Sequence, residues 1–197
     1  MGTRLGVMGG TFDPIHVGHL VTAEEALHQF ALDEVVFVPT GRPWMKEHEV
    51  VASPEDRYRM TEIGIAPEPR FRVSRIEVDR GGPTYTIDTL RAMHAADPGV
   101  DLSFITGADA MLEIMDWKDS ATLFDLAHFI AATRPGYDLG AIQSPTQPSH
   151  PEITVMNIPA LAISSTDIRR RVAAGLPIRY LVPEGVKSYV EKAGIYR

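Results

Sequence analysis

The chain has 197 residues, 44% of them apolar and 23% charged, a length and balance suited to one domain with a sizeable core. It contains no cysteine, which excludes disulfides, thiolate metal sites and a cysteine nucleophile. Lys and Arg number 19 against 26 Asp and Glu, and the net charge of −7 argues against a broad nucleic-acid surface while leaving room for a local basic pocket.

No apolar run approaches the ~18 residues of a membrane span. The first residues run into an apolar strand without a signal-peptide core. A cytoplasmic protein without a membrane partner is therefore expected.

The predicted elements begin in residues 5–20. Leu5, Val7 and Met8 read as a short buried strand. Gly9 and Gly10 are expected to end it, to turn sharply and to let an anion approach the backbone. Residues 11–15 form a loop. His16, Gly18 and His19 then open an amphipathic helix whose apolar positions are Leu20, Ala23, Leu27 and Phe30. A strand, a glycine turn and a helix N-terminus make an anion site, because bare N–H groups and the helix dipole favour negative charge. His16 and His19 are three apart, share one side of the first turn, and can both donate to phosphate oxygens. Taken without a ligand, the stretch is an ordinary glycine turn with two incidental histidines. His16, His19 and His28 could also begin a metal site, but no further ligand cluster accompanies them.

Residues 34–38 read as a second buried strand. The following loop, residues 39–51, is long for a strand-to-helix connection and carries Arg42, Trp44, Lys46 and His48. Ser53, Pro54, Glu55 and Asp56 form a helix start, with Ser as cap, Pro in the first position and acids in the first turn. Arg57 and Arg59 read as surface ion pairs. Residues 71–78 alternate polar and apolar and predict a strand with one buried face. Gly81 to Thr86 lead into a helix through Leu90 and Met93. Thr86 can offer a hydroxyl and an N–H to a carboxylate at the positive end of that helix, or it and Thr84 simply cap.

Residues 101–106 form the next buried strand and end in Gly107, Ala108 and Asp109. The Asp109 carboxylate is placed either to accept from a ribose hydroxyl or to cap the next helix. In the polar turn Asp116-Trp117-Lys118 the indole can stack on a flat heteroaromatic ring or pack into the core. Residues 127–132 are a strand, followed by Arg134 at the start of a Pro-, Gly-, Gln- and Ser-rich tract to Pro151, and residues 153–156 form the last strand. Ser164, Ser165 and Thr166 gather donors at a helix N-terminus. Arg169, a turn later, adds a planar cation suited to phosphate. Plain capping ahead of a basic surface helix (Arg169, Arg170, Arg171) is the alternative. Leu181, Val182 and Pro183 and a helix with Val186, Tyr189 and Val190 read as structural. Alternating strands and helices imply a doubly wound α/β architecture, a mostly parallel sheet flanked by helices, with the candidate residues gathered at one edge.

Four stretches carry a resemblance. Gly9-Gly10-Thr11-Phe12-Asp13-Pro14-Ile15-His16-Val17-Gly18-His19 resembles the signature of the adenylyltransferase and cytidylyltransferase superfamily. With Pro83-Thr84-Tyr85-Thr86, Gly107-Ala108-Asp109 and Ile163-Ser164-Ser165-Thr166-Asp167-Ile168-Arg169, the match resembles the bacterial nicotinate-nucleotide adenylyltransferases over nearly the whole chain.

The resemblance implies a Rossmann-like fold in a single nucleotidyltransferase domain, residues 1–197. It implies transfer of the adenylyl group of ATP to nicotinate mononucleotide, giving deamido-NAD and pyrophosphate. Mg²⁺ would be carried by the ATP phosphates, with no metal site in the protein. Catalytic roles fall to His16, His19, Lys46 and Arg169. ATP would meet Gly9, Gly10, Thr11, Phe12, Gly107, Asp109, Arg134, Ser164, Ser165 and Thr166. The nicotinate nucleotide would meet Tyr85, Thr86, Trp117 and Lys118, with Trp117 on the ring and Thr86 and the Lys118 amide at the carboxylate. The family's Pro-Pro-His-Lys stretch is Pro43-Trp44-Met45-Lys46 here, so Met45 stands where the histidine is usual. A phosphopantetheine or phosphocholine-like acceptor would tolerate the first and last motifs, but Tyr85, Thr86 and Trp117 tilt against it. A nucleotide-binding regulatory module without turnover is the alternative of a different class, and retention of His16, His19, Lys46 and Arg169 speaks against it. The residues fix no oligomeric state, and an oligomer is compatible with them.

Overall fold

A computed structural model describes residues 2–43, 50–133 and 153–197 of the chain. Six parallel strands form one sheet in the order β4-β2-β1-β6-β7-β8. β1 (Arg4–Gly10) lies at its centre, between β2 (Glu34–Pro39) and β6 (Asp101–Gly107), with Val7 opposite Val36 on one side and Phe104 on the other. β4 (Phe71–Val73) forms one edge, and β7 (His128–Thr133) and β8 (Ile153–Asn157) extend the other. The order of connection reverses between β1 and β6. At such a switch point the loops diverge and leave a crevice at the carboxyl ends of the strands, where ligands of open α/β sheets bind.

Successive side chains of a strand point to opposite faces, so a sheet covered on both sides needs apolar residues in runs. Met8, Phe37, Ile105 and Ile130 enter one core, with Ala23 and Leu27 of α1 (Val17–Gln29), Met60 of α2 (Pro54–Ile65), Ile168 of α6 (Ser165–Ala173) and Val186 of α7 (Glu184–Ala193). Val7, Phe104 and Phe129 enter the other, with Ile87 and Leu90 of α3 (Thr86–Ala96) and Leu123 of α5 (Ser120–Leu126). A short helix, α4 (Ala108–Leu112), and a 3₁₀ turn over Ile114–Asp116 connect β6 to α5. A two-stranded ribbon pairs β3 (Arg42–Pro43) with β5 (Pro83–Thr84). Among the described residues no helix is long and apolar enough to cross a membrane.

The expected cap of α2 is present: Ser53 accepts from the Asp56 amide, with Pro54 at the start of the helix. Two expectations are corrected. The strand read over residues 71–78 ends at Val73. Beyond it the chain winds into a turn, closed by the Asp79 amide on the Arg75 carbonyl at 2.8 Å, which tucks the Glu77 side chain inward instead of alternating it. Burial raises the Glu77 carboxyl pKa, opposed by the Thr89 hydroxyl, which donates to it at 2.7 Å. Second, Arg57 is not a surface residue. Its side chain is 0% exposed and lies at the heart of the site's support.

Candidate active site

A pocket of about 510 Å³ opens at the carboxyl edge between β1 and β6. It is lined by Thr11, Phe12, His16 and His19 from the β1–α1 segment, by Gly107 and Asp109 after β6, and by Ser164, Ser165, Thr166 and Arg169 at the start of α6. Residues separated by more than 150 positions in the chain thus meet where the topology predicts a ligand.

Gly9 and Gly10 do not line the pocket and do not turn the chain. Both are strand residues, paired with Val38 and Pro39. What they supply is room. A Cβ on Gly9 would lie 2.9 Å from the Phe104 ring, and one on Gly10 would lie 2.8 Å from Phe12. The turn comes at Phe12, whose φ of 49° is a left-handed conformation that costs a non-glycine residue energy. Its ring, wedged against Phe37 and His19, over-determines that conformation.

His16 is the N-cap residue of α1, in extended conformation. Its ring stacks on His19 with centroids 3.6 Å apart, and Phe12 meets the His19 ring edge-on at 5.0 Å. Gly18 leaves space for this, since a Cβ there would sit 3.1 Å from the His16 ring. The His16 amide donates to His19 Nδ1 at 3.2 Å. Burial, then the charge that His16 can carry, hold the His19 imidazole well below its usual pKa. A neutral ring whose Nδ1 accepts carries its proton on Nε2, so His19 is a neutral hydrogen-bond donor at pH 7. The expectation that the amides opening α1 are bare is corrected at Val17, whose N–H donates to the Leu181 carbonyl at 3.0 Å.

At α6, Ser164 caps the helix by accepting from the Asp167 amide. The three hydroxyls are not equivalent. Ser165 spends its own on the Pro14 carbonyl at 2.9 Å, while Thr166 accepts from Arg169 Nη2 at 3.3 Å. Arg169 Nη1 donates to the Asp13 carbonyl at 2.9 Å. Asp109 stands exposed in the first turn of α4; the cap there is Gly107, so the capping alternative for Asp109 is not the one adopted.

The support beneath the loop had no signal in the periodicity. Arg57 donates from Nη1 to the Thr11 carbonyl at 2.9 Å, from Nη2 to Gly41 at 2.8 Å and from Nε to Ala52 at 3.3 Å. Burial lowers its pKa, with Asp13 the foremost group opposing the shift. Asp13, 1% exposed, accepts from the Val51 and Ala52 amides and from the Tyr196 hydroxyl.

Tyr85, Thr86, Trp117 and Lys118 do not line this pocket. They group on the other face of the sheet. Tyr85 is the N-cap residue of α3, without a side-chain cap, and Thr86 is the helix's first residue. Lys118 Nζ pairs with Asp88 at 3.0 Å and lies 4.7 Å from the centre of the Tyr85 ring. Trp117 packs edge-on against Phe104 at 5.9 Å. Its Nε1 is buried without a hydrogen-bond partner among the described residues. Lys46 and Arg134 lie outside the described residues, as do Trp44, Met45 and His48. Among the described residues no three His, Cys, Asp or Glu converge to hold a metal ion.

Fold and pocket together define a nucleotide-binding α/β protein with a site built from cationic and neutral donors. The cytidylyltransferase-like family model matches residues 7–171. A probable nicotinate-nucleotide adenylyltransferase of Streptomyces coelicolor is 57% identical over 192 residues, covering 96% of this chain and 99% of that protein. One of Saccharopolyspora erythraea is 56% identical over 194 residues, covering 98% and 90%. The structure of Plasmodium falciparum nicotinic acid mononucleotide adenylyltransferase complexed with NaAD superposes with a TM-score of 0.80 at 21% identity, covering 98% of this chain and 97% of that one, a likeness of fold. The chain belongs to the cytidylyltransferase-like family, among the nicotinate-nucleotide adenylyltransferases, and is a nucleotidyltransferase.

Proposed function

We propose that the protein transfers the adenylyl group of ATP to nicotinate mononucleotide, forming deamido-NAD and pyrophosphate. The observation that carries this is the convergence of His16, His19, the α6 N-terminus and Arg169 on one pocket at the switch point. The names of relatives at 56–57% identity support the substrate pair.

In this reading a 5′-phosphate oxygen of nicotinate mononucleotide attacks the α-phosphorus of ATP in line. The bond to the bridging oxygen breaks, and pyrophosphate leaves. The nucleophile is already an anion, so no strong base is required and no covalent enzyme intermediate forms. Catalysis is positioning and charge stabilisation. His19, a neutral donor, serves the α-phosphoryl oxygens where charge develops, with His16 beside it. Arg169 and Lys46 hold the polyphosphate. Ser164, Thr166 and the first-turn amides of α6, which have no partner within the helix, add donors. Asp109 accepts from the ribose, and Arg134 contacts the phosphate or adenine side. Mg²⁺ bound with ATP would supply neutralisation of phosphate charge. No three His, Cys, Asp or Glu side chains gather among the described residues, which suits an ion held by phosphate oxygens and water instead of a protein cage. Thr86 and the Trp117–Lys118 turn read the nicotinate carboxylate and ring.

The test is pyrophosphate release from Mg-ATP with nicotinate mononucleotide, nicotinamide mononucleotide or phosphopantetheine as acceptor. Strong preference for the first is expected. Activity with phosphopantetheine alone would overturn the substrate, and ATP binding without release for any acceptor would overturn the enzyme reading of this pocket.

A further inference from the structure

We infer that Tyr196 is a positioning residue for the reaction: by donating its hydroxyl to Asp13 it leaves the Arg169 guanidinium available to the ATP phosphates. This rests on the adenylyl-transfer reading of the pocket.

Asp13 interacts electrostatically with two cations, Arg57 and Arg169, and could be neutralised by either. Arg57 is committed, since three of its nitrogens each donate to a main-chain carbonyl. Arg169 forms a long ion pair with the carboxylate, without a hydrogen bond to it. Its Nη1 takes the Asp13 main-chain oxygen at 2.9 Å and stays 3.7 Å from Oδ2. The carboxylate is satisfied by neutral donors instead. Oδ2 accepts from the Val51 amide at 2.8 Å; Oδ1 accepts from the Ala52 amide at 3.1 Å and from the Tyr196 hydroxyl at 2.6 Å.

The phenol is the shortest of the three, and hydrogen bonds to an ionised acceptor are the strong ones. Burial and this bond push the Tyr196 pKa far up, so the hydroxyl keeps its proton and stays a donor. Tyr196 holds this place at a φ of 70°, a conformation that disfavours a tyrosine and must be maintained by its surroundings. Its ring is buried in the core shared by α1, α2 and α7. Without the hydroxyl, a buried carboxylate loses its best neutral partner. The cation already paired with it is Arg169. Shortening that 3.7 Å contact to hydrogen-bond distance, a movement of about 1 Å, would turn a phosphate-facing guanidinium into the hydrogen-bonded partner of a buried acid.

The predicted phenotype is selective. Tyr196→Phe keeps the ring and removes only the donor. It should weaken Mg-ATP binding on the order of tenfold, as loss of one charge-assisted bond implies. Nicotinate mononucleotide binding should change by less than about twofold. In kinetics the KM for ATP rises while the KM for the nicotinate nucleotide does not. In an Arg169→Ala background Tyr196→Phe should cost ATP affinity almost nothing more, because the group it protects is gone. Calorimetric titration of Mg-ATP and of the acceptor separately, with a melting curve for each variant, reads all of this.

Unchanged ATP affinity in Tyr196→Phe overturns the proposal. So does equal loss of both ligands with a lowered melting temperature, or full additivity with Arg169→Ala. If the phenylalanine variant does not fold, the wild-type protein decides by proton NMR of the Tyr196 hydroxyl, which saturating Mg-ATP must shift and the acceptor alone must not. Because binding is read directly, absence of turnover with nicotinate mononucleotide in the wild type would refute the substrate assignment while leaving this test standing.

Discussion

On the α1–α6 face of the sheet, each donor of the pocket is held from behind. The His16 amide fixes the His19 ring, the Asp13 carbonyl holds Arg169, and Arg57 fastens the Thr11 carbonyl from below. On the α3–α5 face, Lys118 is engaged with Asp88 and the Tyr85 ring, and Trp117 leans on Phe104 with its indole N–H unpartnered. In the proposed reading, the first face is arranged for an anion before one arrives. On the second, Lys118 is engaged by its neighbours while the Trp117 N–H is left without a partner among the described residues. A phosphate site gains from preorganisation because its ligand is highly charged and the same donors serve the developing charge of the transition state. A recognition site for an aromatic carboxylate can be assembled at the moment of binding, exchanging one ion pair for another.

The largest effect expected from breaking this contrast is on rate. His19→Ala should lower turnover by on the order of 10²–10³ with the fold intact, the usual cost of losing a donor used in the transition state. Near-normal pyrophosphate release would remove His19 from that role. Next comes the support. Arg57→Met fills the volume but leaves the Thr11, Gly41 and Ala52 carbonyls without their donor, and should destabilise the protein by about 3 kcal/mol in urea unfolding; a loss under about 1 kcal/mol would mean the loop does not need the tie.

The second face should respond in selectivity more than in rate. Thr86→Val is expected to lower kcat/KM for nicotinate mononucleotide about tenfold and leave the amide nucleotide nearly unaffected, because an anion-reading donor is lost. Equal effects on both nucleotides would show that Thr86 only starts α3. The smallest effect is in pH. The unfolded chain protonates His19 near its ordinary pKa of 6.5, while the folded ring resists. The contribution is therefore complete above pH 6.5 and declines as pH falls toward the lower folded value. Urea midpoints should drop between pH 7.5 and 5.5, and by less in His19→Ala.

What could be read from the residues and what could not divide along the same physical line. Strands over residues 5–8, 34–38 and 101–106 announce themselves as buried runs, and a cap such as Ser53 acts within four residues, so both are local signals. The motif residues of the pocket were legible because a strand end and a helix start define an anion site on their own. Arg57 was not, since a basic residue beside Glu55 and Asp56 looks solvated until Thr11 and Gly41 fold over it. Residues 71–78 alternate like a strand, but β4 is a sheet edge, and after the Ser74 amide's bond to Phe37 the chain turns away into the Arg75–Asp79 turn. Gly9 and Gly10 do not turn the chain as expected; they are strand residues, and the space they leave is filled by Phe104 and Phe12, contacts set by strand register.

The bond between Asp13 and Tyr196 spans 183 positions, and the contacts of Arg169 and Ser165 with the same loop span 156 and 151. During synthesis, therefore, the first strand and the phosphate loop leave the ribosome long before the residues that fasten them. Translation proceeds at roughly 5–20 residues per second, so the loop waits on the order of ten seconds or more for its far partners. Over that interval β2 and β6 are made and can flank β1, but Asp13 is still without its phenol. A chain stalled on the ribosome before residue 165 therefore carries its first motif complete while the Ser165, Arg169 and Tyr196 contacts to that loop are still missing.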